Sequence, residues 1–142
     1  MPQRDLLSDI TTAALERGLA GVYARQLAIA DNLANIETPG YQAKAVSFEQ
    51  SLRAAIEAER PGRAGHMLPP HGMAGTRHRL IEAVEPRVEP QSAPARPDGN
   101  TVNLEAEIVA MSKSSLQYKM LTRLLAKKLG MMQRAINGGS SQ

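Results

Sequence analysis

A mainly α-helical fold, with a long helix near each terminus and a proline-rich middle, is what the sequence predicts. Near both ends, apolar residues recur at alternating steps of four and three, which is the spacing of a helix that packs against another helix. Seven of the nine prolines fall in residues 61–100. Aromatic residues make up only 3% of the chain, so Ala, Leu, Ile, Val and Met supply most of the apolar surface. We therefore expect the terminal helices to pair as an axial bundle or coiled coil, with a short irregular or β-containing segment between them.

The first helix is predicted over about residues 5–36, with Ser8 or Asp9 as the N-cap. Its apolar side, called here the N-terminal seam, advances by steps of 4, 3, 4, 3, 4 and 3, with Gln26 as its one polar position. The apolar members of the N-terminal seam are Leu15, Leu19, Val22, Ile29, Leu33 and Ile36. The apolar face is widened by Ala20, Tyr23, Leu27, Ala30 and Ala34.

The last helix is predicted over about residues 103–137. Asn103 is a favourable N-cap, Glu105 and Glu107 follow it in the first turns, and Asn137 precedes two glycines that stop the helix. Its C-terminal seam again alternates steps of 4 and 3, interrupted by the polar Ser115 and Thr122. The remaining members are Leu104, Ile108, Met111, Tyr118, Leu125, Leu129, Met132 and Ile136. Off this seam lie Leu116, Leu121 and Leu124, which suggests a second buried face.

The middle of the chain reads differently. We divide the sequence into an N-terminal axial helix (1–38), a turn and connecting segment (39–60), a Pro/Gly-rich flexible or weakly β middle (61–100) and a C-terminal axial helix (101–142). Residues 44–60 fit either a short strand or a short helix. Residues 79–90 hold a strand-like patch, which its prolines confine to a sheet edge.

Two helices with apolar faces this broad cannot cover each other completely. A two-helix core supplies only about 3–5 kcal/mol, and an apolar face left exposed indicates a binding partner. The pattern therefore predicts a protein that works by contact with other molecules.

The first helix ends in the stretch "ADNLANIETPGYQA", residues 30–43. Pro39 sets φ for the second position of a turn, Gly40 supplies the positive φ of a type II turn, and Thr38 before the proline leaves helical geometry. Tyr41 can pack back on the bundle as an amphipathic anchor. The side chains of Asn32 and Asn35 either bond the freed helix carbonyls, adopt turn geometry or are simply solvated.

The residues "LAIADNLANIETPGYQAKAVSFEQSL" (27–52) resemble the N-terminal signature of bacterial flagellar rod and hook proteins, and "VNLEAEIVAMSKSSLQYKMLTRLLAKKLGMMQRAING" (102–138) resembles the closing helix of a short rod protein. The resemblance covers about 70 residues at the two ends and says little about residues 61–100. It implies a structural subunit of the proximal rod, which passes torque from the membrane ring to the hook. It also implies assembly with itself and other rod proteins, and passage through the flagellar type III export apparatus without a cleaved signal peptide. The expected location is the rod of the basal body, in the periplasmic space.

On this interpretation the two seams form the assembly interface, and the turn motif consists of Asn32, Asn35, Thr38, Pro39, Gly40 and Tyr41. We expect no catalytic residue, cofactor or metal site, because no nucleophile or phosphate-loop motif occurs and the sequence has no cysteine. The three histidines lie in the Pro/Gly-rich middle, where solvated loop positions are expected.

Other classes of protein remain open on the residues alone. A cytoplasmic helical interaction module, such as an export adaptor or regulator, would use the same apolar faces. A nucleic-acid binder fits less well, because the net charge of +3 is spread along the chain and aromatics for stacking are scarce. No apolar run reaches the length of about 20 residues that a membrane-spanning helix needs, so membrane insertion is not expected.

Overall fold

The computed structural model describes residues 10–59 and 78–138. In chain order the elements are α1 (Ile10–Ala34), β1 (Lys44–Ser47), α2 (Glu49–Glu59), α3 (Arg79–Glu82), β2 (Arg87–Pro90) and α4 (Leu104–Gly138). The predicted mainly α fold, with a long helix near each end and a small β-containing middle, is confirmed. The predicted caps Ser8 and Asp9 lie outside the described residues, as do His66, His71 and the glycine after Gly138.

Helices α1 and α4 pack against each other and form the largest contact in the described chain. The contact is close because small residues lie at it. A Cβ added to Gly18 would come within 3.4 Å of a methyl carbon of Leu121. One turn further along α1, the hydroxyl of Ser114 donates to the carbonyl oxygen of Val22 at 3.4 Å, with both residues buried. The two helices are therefore joined by close packing and by a hydrogen bond, rather than by apolar contact alone.

The middle segment adds a small second layer beside α1. Strands β1 and β2 pair antiparallel, with Val46 opposite Val88. Phe48, which follows β1, is buried, and its ring lies where a Cβ on Gly21 would be, 2.5 Å from the ring carbons. The core cluster consists of Val22, Ala28, Val46 and Phe48, so it sits between α1 and the β1–α2 connection.

Two expectations for the middle are refined. Residues 44–60 were predicted as a strand or a helix, and they contain both, because β1 gives way to α2 at Glu49. The predicted strand-like patch over residues 79–90 is only partly confirmed, because just its last four residues form a strand. Its first residues form the helical turn α3, in which Ile81 is fully buried, and only Arg87–Pro90 form the strand.

None of the helices in the described residues combines the length and the apolar content that a membrane-spanning helix requires.

Candidate assembly surfaces and the turn that ends α1

The Thr-Pro-Gly-Tyr turn has the predicted geometry. Gly40 has a φ of +72°, which confirms the left-handed conformation expected of it. The amide N–H of Tyr41 donates to the carbonyl oxygen of Thr38 at 3.3 Å and closes the turn. The chain thus leaves α1 sideways and enters β1 within a few residues.

Asn35 bonds the end of its own helix, as one of the alternatives predicted. Its side-chain amide donates to the carbonyl oxygen of Asp31 at 2.9 Å, and its Oδ1 accepts from the hydroxyl of Thr38 at 3.2 Å. These two bonds link the last turn of α1 to the Thr-Pro-Gly-Tyr turn that follows it.

Asn32 has a different role from the one expected. It is fully buried, and it bonds the backbone of β1 in both directions: its Nδ2 donates to the carbonyl oxygen of Lys44 at 2.9 Å, and its Oδ1 accepts from the N–H of Lys44 at 2.8 Å. The hydroxyl of Tyr41 also donates to this Oδ1, at 3.4 Å. Asn32 therefore fixes the start of β1 against α1. Because its Oδ1 also accepts from the hydroxyl of Tyr41, it holds Tyr41 against α1 as well.

The same Asn32 amide reaches α4. Its Nδ2 donates to Oε1 of Glu107 at 3.1 Å, and Glu107 is buried. Burial raises the pKa of the Glu107 carboxyl, and the hydrogen bond from Asn32 opposes only part of that rise. One amide thus connects α1, β1 and α4.

Asn100 is the residue that sequence reasoning missed. It is fully buried, and its Nδ2 lies 2.9 Å from the carbonyl oxygen of Asn35, 3.1 Å from that of Ile36 and 2.8 Å from that of Thr38. Its Oδ1 accepts from the N–H of Val102 at 2.7 Å. The backbone carbonyls that follow α1 are therefore capped by a side chain that lies just before α4. A sequence signal was present in Pro97-Asp98-Gly99-Asn100, which is typical of a turn.

The two turns also contact each other through their backbones. The N–H of Gly40 donates to the carbonyl oxygen of Asp98 at 2.9 Å, and the N–H of Thr101 donates to that of Tyr41 at 3.0 Å. Gly99 has a φ of +80°, and a Cβ there would lie 3.4 Å from the Cα of Gly40. Both glycines supply a positive φ, and at Gly99 the missing side chain also leaves room for the backbone of Gly40.

Arg25, which lies on α1, connects β1 and α2 to α4. Its guanidinium forms an ion pair with Glu49, donates to the carbonyl oxygen of Val46 at 3.2 Å and to Gln117 Oε1 at 3.3 Å, and lies 5.1 Å from the centroid of the Phe48 ring. Burial acts to raise the pKa of Glu49, but the hydrogen bond and charge of Arg25, together with hydrogen bonds from the backbone of Phe48 and Glu49, outweigh it and hold that pKa below its usual value.

The N-terminal seam lies mostly inside the chain. Val22 and Ile29 are buried, and the rest of the seam is half-buried. The half-buried members are Leu15, Leu19, Gln26, Leu33 and Ile36. The residues that widen the apolar face are instead largely outside: Tyr23 is 55% exposed and Leu27 is 51% exposed.

The C-terminal seam is placed differently. Met132 is buried, the side chains of Met111, Ser115 and Leu125 are half-buried, and the other members are exposed. The exposed apolar members are Leu104, Ile108, Tyr118, Leu129 and Ile136. The second face that was expected to be buried is exposed at Leu116 and Leu124, and only Leu121 reaches the core.

One expectation about the histidines was wrong. His78 is half-buried rather than solvated, because its Nδ1 lies 3.0 Å from Oε2 of Glu59. The other carboxylate oxygen of Glu59 accepts from the N–H groups of Leu80 at 2.7 Å and Ile81 at 3.2 Å. This carboxylate therefore holds residues 59 and 78 together and caps the turn α3.

A pair of long terminal helices with a capped helix end and outward-facing apolar residues is the architecture of a helical protein that works by contact with other molecules. No family model matches the chain. Among curated proteins, it is 31% identical over 120 residues to the flagellar basal body rod protein FlgB of Escherichia coli (strain K12), covering 82% of this chain and 85% of that protein. FlgB of Salmonella typhimurium is 32% identical over the same length and coverage, and FlgB of Borreliella burgdorferi is 28% identical over 104 residues, or 72% and 77% of the two chains.

The chain belongs to the FlgB family of flagellar basal body rod proteins. It is accordingly a structural component of the basal body rod.

Proposed function

We propose that this chain is a subunit of the proximal rod, assembles there with copies of itself and with other rod proteins, and transmits torque from the membrane ring to the hook. The observation that carries the proposal is the outward apolar surface of the α1–α4 hairpin in a member of the FlgB family. An apolar surface of this kind on a protein of an assembled structure is accounted for by contact between subunits.

The hairpin suits a load-bearing subunit for a physical reason. The turn after α1 is bonded to residues 98–101, so the end of one helix and the start of the other are fixed relative to each other. A force applied at one helix is then passed to the other through hydrogen bonds and close packing, instead of being absorbed in a loose connection.

The assembly interface that we propose includes the N-terminal and C-terminal seams defined above. In the described residues, two members of the C-terminal seam are open to contact with another subunit. They are Ile108, which is 52% exposed, and Leu129, which is 48% exposed. Buried members such as Val22 and Ile29 act indirectly, by holding the hairpin together.

We further propose that the chain reaches the periplasmic rod through the flagellar type III export apparatus, without a cleaved signal peptide. Export of this kind requires the subunit to travel unfolded, which a small helical hairpin with few buried residues allows.

The experiment is complementation of a flagellated bacterium whose own FlgB-family protein is deleted. The wild-type chain should restore rods and swimming, and the Ile108→Asp, Leu129→Asp double variant should not, because each change puts a charge where a subunit contact excludes water. Val88→Asp is the matched control, since Val88 is 58% exposed on β2, away from the hairpin. If the wild-type chain stays in the soluble cytoplasmic fraction of cells that have normal flagella, the proposal fails in favour of an export adaptor or regulator.

A further inference from the structure

Two exposed ridges on the hairpin carry opposite charge. The α1 ridge consists of Glu16, Ala20, Tyr23, Leu27, Asp31 and Ala34, spaced by steps of 4, 3, 4, 4 and 3, and every member is exposed. The α4 ridge consists of Lys113, Leu116, Met120, Arg123, Lys127 and Met131, spaced by steps of 3, 4, 3, 4 and 4, and every member is exposed.

The α1 ridge is acidic as well as apolar. The two cations of α1 lie elsewhere on the helix: Arg17 is half-buried, and Arg25 is bonded to Glu49 and Val46. Asp31 does lie 3.4 Å from Lys44, but both side chains are largely exposed, and pairs of this kind are weak.

The α4 ridge is basic. Residues 108–138 contain no Asp or Glu, so every charge on α4 beyond Glu107 is positive. Its apolar members are as open as those of α1, with Leu116 at 61% and Met120 at 56% exposure. The α4 ridge is therefore complementary, in charge and in apolar character, to a helix face that is acidic and apolar.

Helical spacing turns both ridges away from the contact within the hairpin. At about 100° per residue, Leu27 lies about 140° around α1 from Val22, and Met120 lies about 120° around α4 from Ser114. Val22 and Ser114 mark the contact between the two helices, because the hydroxyl of Ser114 donates to the carbonyl oxygen of Val22. Within residues 10–59 and 78–138, a single chain thus presents both ridges outward and covers neither.

We propose that the α1 ridge of one copy docks on the α4 ridge of the next copy, as a helix–helix contact with acidic and apolar residues facing basic and apolar ones. The proposal rests on the proposed assembly function and adds to the exposed C-terminal seam a second pair of surfaces that carries it. The two surfaces are different, so the contact is heterologous, and each added copy exposes the same pair of ridges again. A repeating contact of this type builds rings or helical tubes.

The test uses charge reversal in the complementation strain described above. One variant, Glu16→Lys with Asp31→Lys, makes both ridges basic. The other variant, Arg123→Glu with Lys127→Glu, makes both ridges acidic. Each variant alone should lower rod yield, counted by electron microscopy, by more than about tenfold, because like charges then face each other. Expressed together, they should restore rods, because each reversed ridge meets its complement on the other variant.

Matched controls change the charge equally at exposed positions off both ridges. These are Glu85→Lys with Glu89→Lys, and Arg53→Glu with Arg87→Glu. Both control variants should assemble like the wild type. Circular dichroism of the purified variants should show wild-type helix content, and a variant that fails this check is replaced by Glu16→Lys alone or by Lys113→Glu with Lys127→Glu.

The outcomes separate the two proposals. If the wild-type chain restores no rods, the proposed function fails. If the wild type restores rods and either ridge variant alone does so too, or the two variants fail when expressed together, the subunits assemble through other surfaces and the ridge proposal is overturned.

Discussion

The side-chain amide of Asn100 lies 2.8 Å from the carbonyl oxygen of Thr38, across 62 residues of sequence. Through this contact the segment before α4 caps the end of α1. The hairpin is therefore closed at one end by a defined set of hydrogen bonds, and the length of α1 is set by the two turns together.

Replacing Asn100 tests this closure. Asn100→Ala removes a fully buried amide that donates to three carbonyl oxygens and accepts from the N–H of Val102, which should lower the free energy of unfolding by about 1–3 kcal/mol. Urea denaturation followed by circular dichroism measures the change. Gln42→Ala is the control, since the exposed Gln42 makes a single long hydrogen bond of 3.4 Å to Gly99. Equal stability of the two variants would mean that Asn100 does not cap α1.

Gly40 offers a test of backbone strain without steric conflict. No atom lies within 4 Å of the position a Cβ would take, so the cost of Gly40→Val comes from the positive φ alone. We expect a loss of about 1–3 kcal/mol. Gly40→Asn should cost less, because Asn adopts the left-handed conformation more readily. Thermal unfolding of both variants measures this, and a Val variant as stable as the Asn variant would contradict the turn geometry.

Gly21 and Gly130 should respond in opposite directions to Ala. A Cβ at Gly21 meets the buried Phe48 ring at 2.5 Å, so Gly21→Ala should displace the ring and destabilise the fold by about 1–3 kcal/mol. At Gly130 no atom lies within 4 Å, so Ala should stabilise α4 by up to about 1 kcal/mol. Chemical denaturation of the two variants side by side gives the comparison. A stabilised Gly21→Ala protein would show that Phe48 is not packed on α1.

Glu107 should give the chain a specific pH dependence. Because burial raises the pKa of its carboxyl, the folded state keeps this proton at pH values where the unfolded state has already lost it. Stability should therefore be fully present below the carboxyl's ordinary pKa and should fall as the pH rises through the folded-state pKa. Glu107→Gln removes this titration while keeping an oxygen that can accept from Asn32.

The measurement is the unfolding free energy of both proteins between about pH 4 and about pH 8. This range begins near the ordinary pKa of a glutamate carboxyl and extends well above it. The difference between variant and wild type should grow in favour of Gln as the pH rises. A difference that stays constant with pH would contradict a raised pKa at this site.

The end of α1 could be predicted from local sequence, whereas its cap could not. Pro39 fixes its own φ angle and Gly40 allows the positive φ that the turn needs, so the turn follows from the residues themselves. Asn100 acts on residues 62–65 positions away, and no local spacing rule identifies such a partner. Local spacing rules also suggested that the Asn32 side chain bonds the carbonyls at the end of α1. It bonds the backbone of β1 and the carboxylate of Glu107 instead.

The period of α4 was predictable, but its inward face was not. Apolar spacing placed the seam at Ile108, Ser115 and Thr122, whereas Glu107, Ser114 and Leu121 face α1. The inner contact uses two hydrogen-bonding side chains, which a search for apolar residues passes over. A pattern of this kind indicates a helix reliably, yet it cannot say which apolar side meets the same chain and which meets another.

Electron cryomicroscopy of basal bodies tests the central claim most directly, using cells in which this chain is the one FlgB-family protein. The account predicts rod density at the membrane ring that fits the α1–α4 hairpin, with its apolar surfaces against neighbouring subunits. Basal bodies that have a normal rod without density for this chain, or a hairpin whose outward apolar residues face solvent in the assembled rod, would contradict it.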